Sequence, residues 1–201
     1  LWATSEVTAA TYRLTGGPLI RAEEVLRSPL VLYTWSDVAE ALAREGLAEA
    51  GAAGYYTVDM DALLGHLAEW GVEGLPGTVG VAPPDPRQSA VGGLYVELLA
   101  ETLGGEGALP EIRALLAGQG YLYPTAGALF RQYVRQGPGA WPLVVGLESQ
   151  LVALRAEHPE ERARIDERLR TLYPRPAVWA VHSLLVLTER AAPLAEALGD
   201  G

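Results

Sequence analysis

The chain contains neither cysteine nor lysine, and these two absences exclude several classes of protein. Without cysteine there is no structural disulfide and no zinc site built on thiolates. Without lysine the phosphate-binding motif Gly-x-x-x-x-Gly-Lys cannot occur. The lack of cysteine fits a cytoplasmic protein as well as an exported one, so it leaves the compartment open.

Long apolar runs and basic faces are also missing. No run approaches the roughly 18 apolar residues that a membrane-spanning helix needs, so we expect no membrane insertion of this segment. The net charge is −10, which argues against nucleic acid and anionic membranes as partners because both bind basic surfaces. The chain opens at Leu1 rather than at methionine, and we interpret it as a fragment or a processed product, for which the lack of a signal peptide carries no weight.

The residues that are present predict an α/β fold. The 201 residues are 49% hydrophobic, enough for a real core. Short apolar, β-branched runs alternate with segments of helical period, and helical crossovers favour parallel pairing. Predicted strands cover 30–34, 78–82, 142–147 and 178–187; predicted helices cover 21–27, 36–50, 90–103, 110–116, 125–136, 149–157, 159–170 and 192–198, with another beginning after Asp59.

The segment 77–93 is the most informative one. A β-prone run leads into a proline-rich loop that carries Asp85 and Ser89, and an apolar helix follows at once. A strand that turns into a helix through such a loop presents free backbone N–H groups at its tip. This arrangement predicts that Asp85, Ser89 and the nearby N–H groups hold the polar or anionic groups of a ligand.

Ser89 allows two other interpretations. As the residue before a helix it can act purely as an N-cap. As a nucleophile it would need His182 as base and Asp85 to orient that base, but Gln88-Ser89-Ala90 lacks the Gly-x-Ser-x-Gly elbow that exposes a catalytic serine. A serine-dependent hydrolase is therefore an alternative function without a supporting motif.

Two further segments indicate a binding site rather than a cofactor site. Glu148 follows a buried strand and opens a helix, which is where open α/β sheets bind ligands, although a glutamate there can also simply complement the helix dipole. Tyr173 begins an extended, proline-rich segment that can frame a cleft or pack under a loop. The three histidines lack partners at i,i+3 or i,i+4, and we expect neither a metal nor another cofactor.

Several of these segments, taken in order, resemble type II periplasmic solute-binding proteins, the two-lobed receptors of ABC importers. The resemblance covers about residues 25–200. The segments that carry it are Ser28 to Trp35, Asp85-Pro86-x-x-Ser89-x-x-Gly92, Gly120 to Leu122 with Thr125 to Phe130, Pro142 to Leu151, and Tyr173 to Trp179 with His182. Ala177, Leu147 and Ser183 depart from the threonine, tyrosine and proline of the family pattern, which implies a different solute or weaker binding. The opening βαβ stretch of the first lobe is also missing from this sequence.

The resemblance implies a fold, a site and a partner. Residues 1–35 would be a partial first-lobe segment with the first hinge strand, 36–171 the second lobe, and 172–201 the return hinge strand with a first-lobe helix. A small solute would bind in the interlobe cleft, held by Asp85 and Ser89, with Trp35, Glu148 and Tyr173 shaping the opposite wall. The protein would act outside the cytoplasm, periplasmic or extracellular, without catalysis, and would deliver the solute to an ABC permease. A ligand-sensing module of the same fold, fused to other domains, is the other alternative.

Overall fold

The structure, a computed structural model, describes residues 1–3, 6–51, 54–69 and 80–199. It divides the chain into two compact units. The larger unit is the continuous stretch Pro29–Val178, and the smaller one is formed by both chain ends, Leu1–Ser28 and the chain from Trp179 onward. Both predicted lobe boundaries, after 35 and after 171, lie inside the larger unit. The predicted assignment of segments to lobes stays a prediction.

Within the described residues the chain forms eight strands and nine α-helices. The strands are β1 (Trp2–Ala3), β2 (Arg21–Trp35), β3 (Ala48–Ala50), β4 (Tyr55–Asp59), β5 (Val81–Ala82), β6 (Leu143–Leu147), β7 (Leu169–Arg175) and β8 (Trp179–Val186). The helices are α1 (Glu6–Leu14), α2 (Ser36–Arg44), α3 (Met60–Glu69), α4 (Ala90–Thr102), α5 (Leu109–Ala117), α6 (Ala126–Gln136), α7 (Glu148–Glu157), α8 (Arg162–Arg168) and α9 (Ala192–Gly199). The predicted α/β class is confirmed in this general form.

The larger unit contains a mixed sheet in the order β5-β6-β2-β7-β4-β3. Strands β5 and β6 are parallel, as are β4 and β7. The expectation of parallel pairing is wrong for β2, which runs antiparallel to both β6 and β7, and for the antiparallel pair β3 and β4. Helical connections impose parallel pairing only where the strands that they join become neighbours, as β5 and β6 do.

Capping residues set the beginnings of the helices that sequence periodicity located. Asp59 caps α3 by accepting from the N–H of Ala62 at 3.0 Å, and Thr125 caps α6 by accepting from Ala128 at 3.1 Å. Gly137, with φ of 74°, ends α6 at the residue where a helix commonly turns left-handed. These boundaries agree with the predicted ones to within a residue or two.

One predicted helix is wrong, and another is predicted too long. Residues 21–27 form the first half of β2, and their side chains are alternately exposed and partly buried over most of this stretch. Arg21 and Glu23 form an ion pair at 2.9 Å, because residues two apart lie on the same face of a strand. The helix predicted for 36–50 ends at Arg44, and the chain continues into β3. Of the strand predicted for 78–82, Thr78 and Val79 lie outside the described residues, as does the predicted break after α3.

The core of the larger unit is formed by β2, β6 and the apolar face of α6. All five residues of β6 are buried, as are the residues of β2 from Leu30 to Trp35. Tyr33 packs on Phe130 with ring centroids 4.6 Å apart, and burial of each such large side chain stabilises the fold by about 1.5–3 kcal/mol. This core holds the start of α7, and with it Glu148, in place.

The smaller unit is built around β8. Strand β1 pairs antiparallel with β8, which lies between β1 and β2. Its buried cluster consists of Ala3, Ala9 and Leu185, with Tyr12, Leu19 and Leu187 packed against them.

Candidate functional site

The carboxyl ends of four strands lie along one edge of the larger unit's sheet. Strands β5, β6, β7 and β4 all run opposite to β2, so that they point the same way. Asp85 follows β5, Glu148 follows β6, and Tyr173 lies near the end of β7. Ligands of open α/β sheets bind outside this edge, so three of the predicted site residues share the expected side of the sheet.

Asp85 is buried, and donors from its own loop occupy its carboxylate. Oδ1 accepts from the backbone N–H of Arg87 (2.9 Å) and from its Nε (3.0 Å), while Oδ2 accepts from Arg87 Nη2 (2.8 Å) and Gln88 Nε2 (3.0 Å). These bonds hold the pKa of Asp85 well below its usual range. The geometry gives Asp85 the role of shaping the loop; ligand contact by this residue stays a prediction.

Ser89 is the N-cap of α4. Its Oγ accepts from the N–H of Gly92 at 3.4 Å, and its side chain is buried. Capping of this kind typically stabilises a protein by about 1 kcal/mol. The N-cap interpretation is thus confirmed, whereas contact between Ser89 and a ligand stays a prediction.

Trp35 lies in the core of the larger unit. Its ring stacks at an angle of 34° on Tyr133 with centroids 5.0 Å apart, and the guanidinium of Arg168 lies 5.7 Å from its centroid. Only 7% of the residue is exposed. A packing role is evident here, and the predicted role in shaping a ligand wall stays untested by these contacts.

Glu148 and Tyr173, predicted for the same wall of a site, are in direct contact. The hydroxyl of Tyr173 donates a hydrogen bond to Oε1 of Glu148, and both side chains are half-buried. Burial, together with this bond and the glutamate's charge, raises the pKa of Tyr173, so the phenol stays neutral. The pair therefore presents one carboxylate supported by a neutral donor.

This pair lines a cavity of about 290 Å³ between α7 and the sheet, which we call the Tyr55 groove. Its lining residues are Gly54, Tyr55, Glu148, Leu151, Val152, Arg155, Asp166, Leu169, Thr171 and Tyr173. Helix α7 supplies one face at i, i+3, i+4 and i+7, and β7 supplies alternate residues on one side of the strand. The lining of the groove thus combines a few apolar side chains with several polar ones.

The two carboxylates of the groove differ in whether an arginine is paired with them. Arg155 forms an ion pair with Asp166, with Nε at 2.6 Å and Nη2 at 2.5 Å from Oδ1. Among the described residues, which include every arginine of the chain, no arginine lies within ion-pair distance of Glu148. Glu148 therefore carries the uncompensated charge of the groove.

Sequence reasoning missed Tyr55, Arg155 and Asp166 as neighbours of the predicted pair. Tyr55 lies on β4, whose register places Thr57 beside Tyr173, and β4 itself was not predicted. The helical spacing from Glu148 to Arg155 was readable in the sequence and indicates a shared face. The pairing of β4 with β7 had no such signal, because strand partners far apart in sequence are set by the whole sheet.

Described residues of the larger unit also line two further cavities. One of about 410 Å³ adjoins Asp85, Arg87 and Tyr121, but the charged groups there already satisfy each other. Another of about 670 Å³ has a mainly apolar lining, with Glu111 and Gln119 as its polar side chains. The larger cavity also combines a carboxylate that is unpaired among the described residues, Glu111, with aromatic residues, but Glu111 is exposed. Glu148 is half-buried and hydrogen-bonded to Tyr173, so the Tyr55 groove is the better candidate site.

No family model and no curated protein sequence matches this chain. Any assignment to a family therefore depends on the residues and on the geometry described above.

The residues considered for a hydrolase each have partners of their own. Ser89 accepts from Gly92, Asp85 binds Arg87 and Gln88, and Nδ1 of His182 accepts from Nε1 of Trp2 at 3.2 Å. Burial lowers the pKa of His182. The described hydrogen bonds thus do not link the three residues as a catalytic triad requires.

Clusters of metal-binding side chains and long apolar helices are both absent from the described part of the chain. No group of three or more histidine, aspartate or glutamate side chains there could hold a metal ion. In the same residues, no helix has both the length and the apolar composition needed to cross a bilayer.

Proposed function

We propose that this chain is a solute-binding protein that holds a small molecule in the Tyr55 groove without transforming it. The observation that carries the proposal is the convergence of Glu148, Tyr173 and Tyr55 on one cavity at the expected side of an α/β sheet. The polar groups of this cavity bond to each other and are not arranged as nucleophile and base. Such an arrangement suits recognition of a ligand.

More specifically, we propose that the protein is a receptor of the type II periplasmic kind. It would act outside the cytoplasm, with an ABC permease as its partner. The resemblance assigns the two passages between lobes to the segments beginning at Ser28 and at Tyr173. The chain changes from one compact unit to the other between Ser28 and Pro29 and again between Val178 and Trp179. Both points fall inside the segments that carry the resemblance, which supports the proposal.

Thermal unfolding of the full chain against a library of small solutes tests the function. A solute present at a hundredfold excess over its dissociation constant should stabilise the chain by about 2.7 kcal/mol. Glu148→Gln and Tyr55→Leu should reduce that shift, whereas Glu157→Gln, at the exposed far end of α7, should leave it unchanged.

The fate of each binding solute separates a receptor from an enzyme. Mass spectrometry after prolonged incubation should recover the solute unchanged. Turnover that disappears in Ser89→Ala would replace the proposal with the hydrolase alternative, and a library without any stabilising solute would contradict it outright.

A further inference from the structure

We infer that the Tyr55 groove recognises an organic ammonium group, a conclusion that rests on the proposed function and specifies its ligand class. The juxtaposition that carries it is one uncompensated carboxylate, Glu148, beside two tyrosine rings in a partly enclosed cavity. Carboxylates and aromatic faces both attract cations, and they do so most strongly where water is partly excluded.

The charge of the groove favours a cation over an anion. The three ionised side chains of its lining are Glu148, Arg155 and Asp166, which sum to one negative charge. The exposed Arg162, outside the lining, lies 3.7 Å from Asp166 and adds no partner for Glu148. The guanidinium of Arg155 is committed to Asp166 at 2.5–2.6 Å, so an anion entering the groove would have to compete with that ion pair. A helix N-terminus is worth only about half a positive charge, so α7 does not neutralise Glu148 completely.

The aromatic walls suit a compact, rounded cation. Tyr55 and Tyr173 have ring centroids 5.6 Å apart at an interplanar angle of 84°, so they form an edge-to-face pair in the lining of the groove. Tyr173 is fixed there by its bond to Glu148, which holds the carboxylate next to this pair. A cation within about 6 Å of a tyrosine ring gains a cation–π attraction that an uncharged molecule of the same shape lacks.

Gly51 fixes the position of Tyr55. Its N–H donates to the carbonyl of Tyr55 at 2.8 Å, and a Cβ at this position would lie 2.4 Å from Cε2 of the Tyr55 ring. Tyr55 is 40% exposed, so its ring can swing away at little cost to stability. Gly51→Ala therefore displaces one wall of the groove without removing an aromatic residue.

Isothermal titration of the full chain with choline chloride tests the inference, with 3,3-dimethylbutan-1-ol as the comparison ligand. The two molecules have the same shape, but a carbon atom replaces the charged nitrogen in the alcohol. Choline should bind at least about tenfold more tightly than the alcohol at low ionic strength, and this advantage should shrink as salt screens Glu148.

Variants assign the effect to the groove. Glu148→Gln should weaken choline binding about tenfold, and Tyr55→Leu and Gly51→Ala should weaken it about three- to tenfold, while Tyr55→Phe retains the ring face and the affinity. Glu157→Gln is the matched control and should bind choline as the parent chain does.

The outcomes separate the inference from the function. Equal binding of choline and the alcohol, or binding insensitive to Glu148→Gln, overturns the ammonium inference. So does a result in which choline does not bind but another library solute does, through Tyr55 and Glu148; the proposed function then stands. If no solute stabilises the chain, both fail together.

Discussion

Asp85 illustrates how one charged side chain can organise a loop from within. Its carboxylate accepts four hydrogen bonds, three of them from Arg87, whose side chain is itself 82% exposed. Its backbone carbonyl accepts from Gln88 and Ser89, and its N–H donates to Tyr123 at 2.7 Å. The residue therefore ties the loop after β5 both to the start of α4 and to the segment before α6.

The lowered pKa of Asp85 leads to the first prediction, which concerns Asp85→Asn. Because the folded pKa lies well below the unfolded value of about 3.9, the ionised carboxylate stabilises the fold fully above that value. The contribution is lost as pH falls through the folded pKa, toward strong acid. Urea unfolding should show Asp85→Asn to be less stable at pH 7, with a smaller loss of stability between about pH 4 and pH 2.

Asp61→Asn is the control for this prediction. Asp61 is an exposed aspartate in the first turn of α3, and its replacement removes the same charge from a solvated position. The stability of Asp61→Asn should keep the acid dependence of the parent chain. Parallel pH curves for the parent chain and Asp85→Asn would refute the role assigned to Asp85.

The predicted site residues differ in how far the local sequence pattern determines their position in the fold. The position of Glu148 at the sheet edge was predictable, because a strand followed by a helix places the intervening residue there. Asp85 and Ser89 carried the same signal, but a short loop can fold its polar groups back on itself, and these residues do so. Tyr55 carried no local signal, because its place beside Tyr173 depends on a strand pair that is more than a hundred residues apart in sequence.

At the scale of elements, α4 packs against the proline-rich loop through a glycine. A Cβ on Gly92 would lie 2.6 Å from the carbonyl oxygen of Pro84 and 2.8 Å from the backbone of Pro86. The neighbouring Gly93, in the same turn, would meet nothing within 4 Å. The two adjacent glycines therefore form a matched pair, one at a close contact and one in open space.

The second prediction concerns alanine at these two positions. Gly92→Ala should lower the free energy of unfolding by roughly 1–3 kcal/mol, because rigid backbone must move to admit the methyl group. Gly93→Ala should raise it by up to about 1 kcal/mol, because alanine favours the helix over glycine. Urea denaturation of both variants checks the signs, and two changes of the same sign would contradict the described packing of α4.

The hydroxyl of the buried Tyr33 takes part in the hydrogen bonds of the first turn of α7. Tyr33 donates to the carbonyl of Leu147 at 2.6 Å and accepts from the N–H of Leu151 at 3.2 Å, so it bridges two groups that a regular helix would join directly. Gly146 allows this approach, since a Cβ there would lie 2.7 Å from the ring of Tyr33. The core thereby fixes the start of the helix that carries Glu148.

Tyr33→Phe is the third prediction. Removing the hydroxyl leaves the carbonyl of Leu147 and the N–H of Leu151 without their shared partner in a buried place, which should cost about 1–3 kcal/mol of unfolding free energy. Tyr12→Phe, which removes a solvent-exposed hydroxyl bond to Pro18, should cost no more than about 0.5 kcal/mol. Chemical denaturation of the two variants compares the same atomic change in two environments, and equal costs would contradict the bridging role.

The elements that were predicted well have local signals, and those that were missed do not. Helices α4 and α6 begin at a serine and a threonine, and strand β6 is a wholly buried apolar run. Residues 21–27 are mostly charged and good helix formers, yet they join β2 because pairing along the sheet outweighs intrinsic propensity. Strand β7 was not predicted because Pro174 and Arg175 at its end disfavour a strand interpretation.

At the scale of the whole chain, the larger unit is continuous in sequence and holds a complete core. One buried cluster of this unit draws on β2, β5, β6, α6, α7 and the first residue of β7, all within 29–178. The smaller unit is assembled from the two chain ends. Composition indicated a core of sufficient size, but the division into these units depends on long-range pairing, which no local pattern in the sequence specifies.

The fourth prediction is that residues 29–178, expressed alone, fold as a domain. Both strands of every pair in the mixed sheet from β5 to β3 pair through residues of this stretch. A domain of about 150 residues also buries enough surface to be stable without the chain ends. The fragment should unfold in one cooperative urea transition and keep a near-ultraviolet circular dichroism signal from the packed rings of Trp35 and Tyr133. A gradual transition without that aromatic signal would show that the chain ends are needed to complete the fold, because packing of these rings requires the finished core.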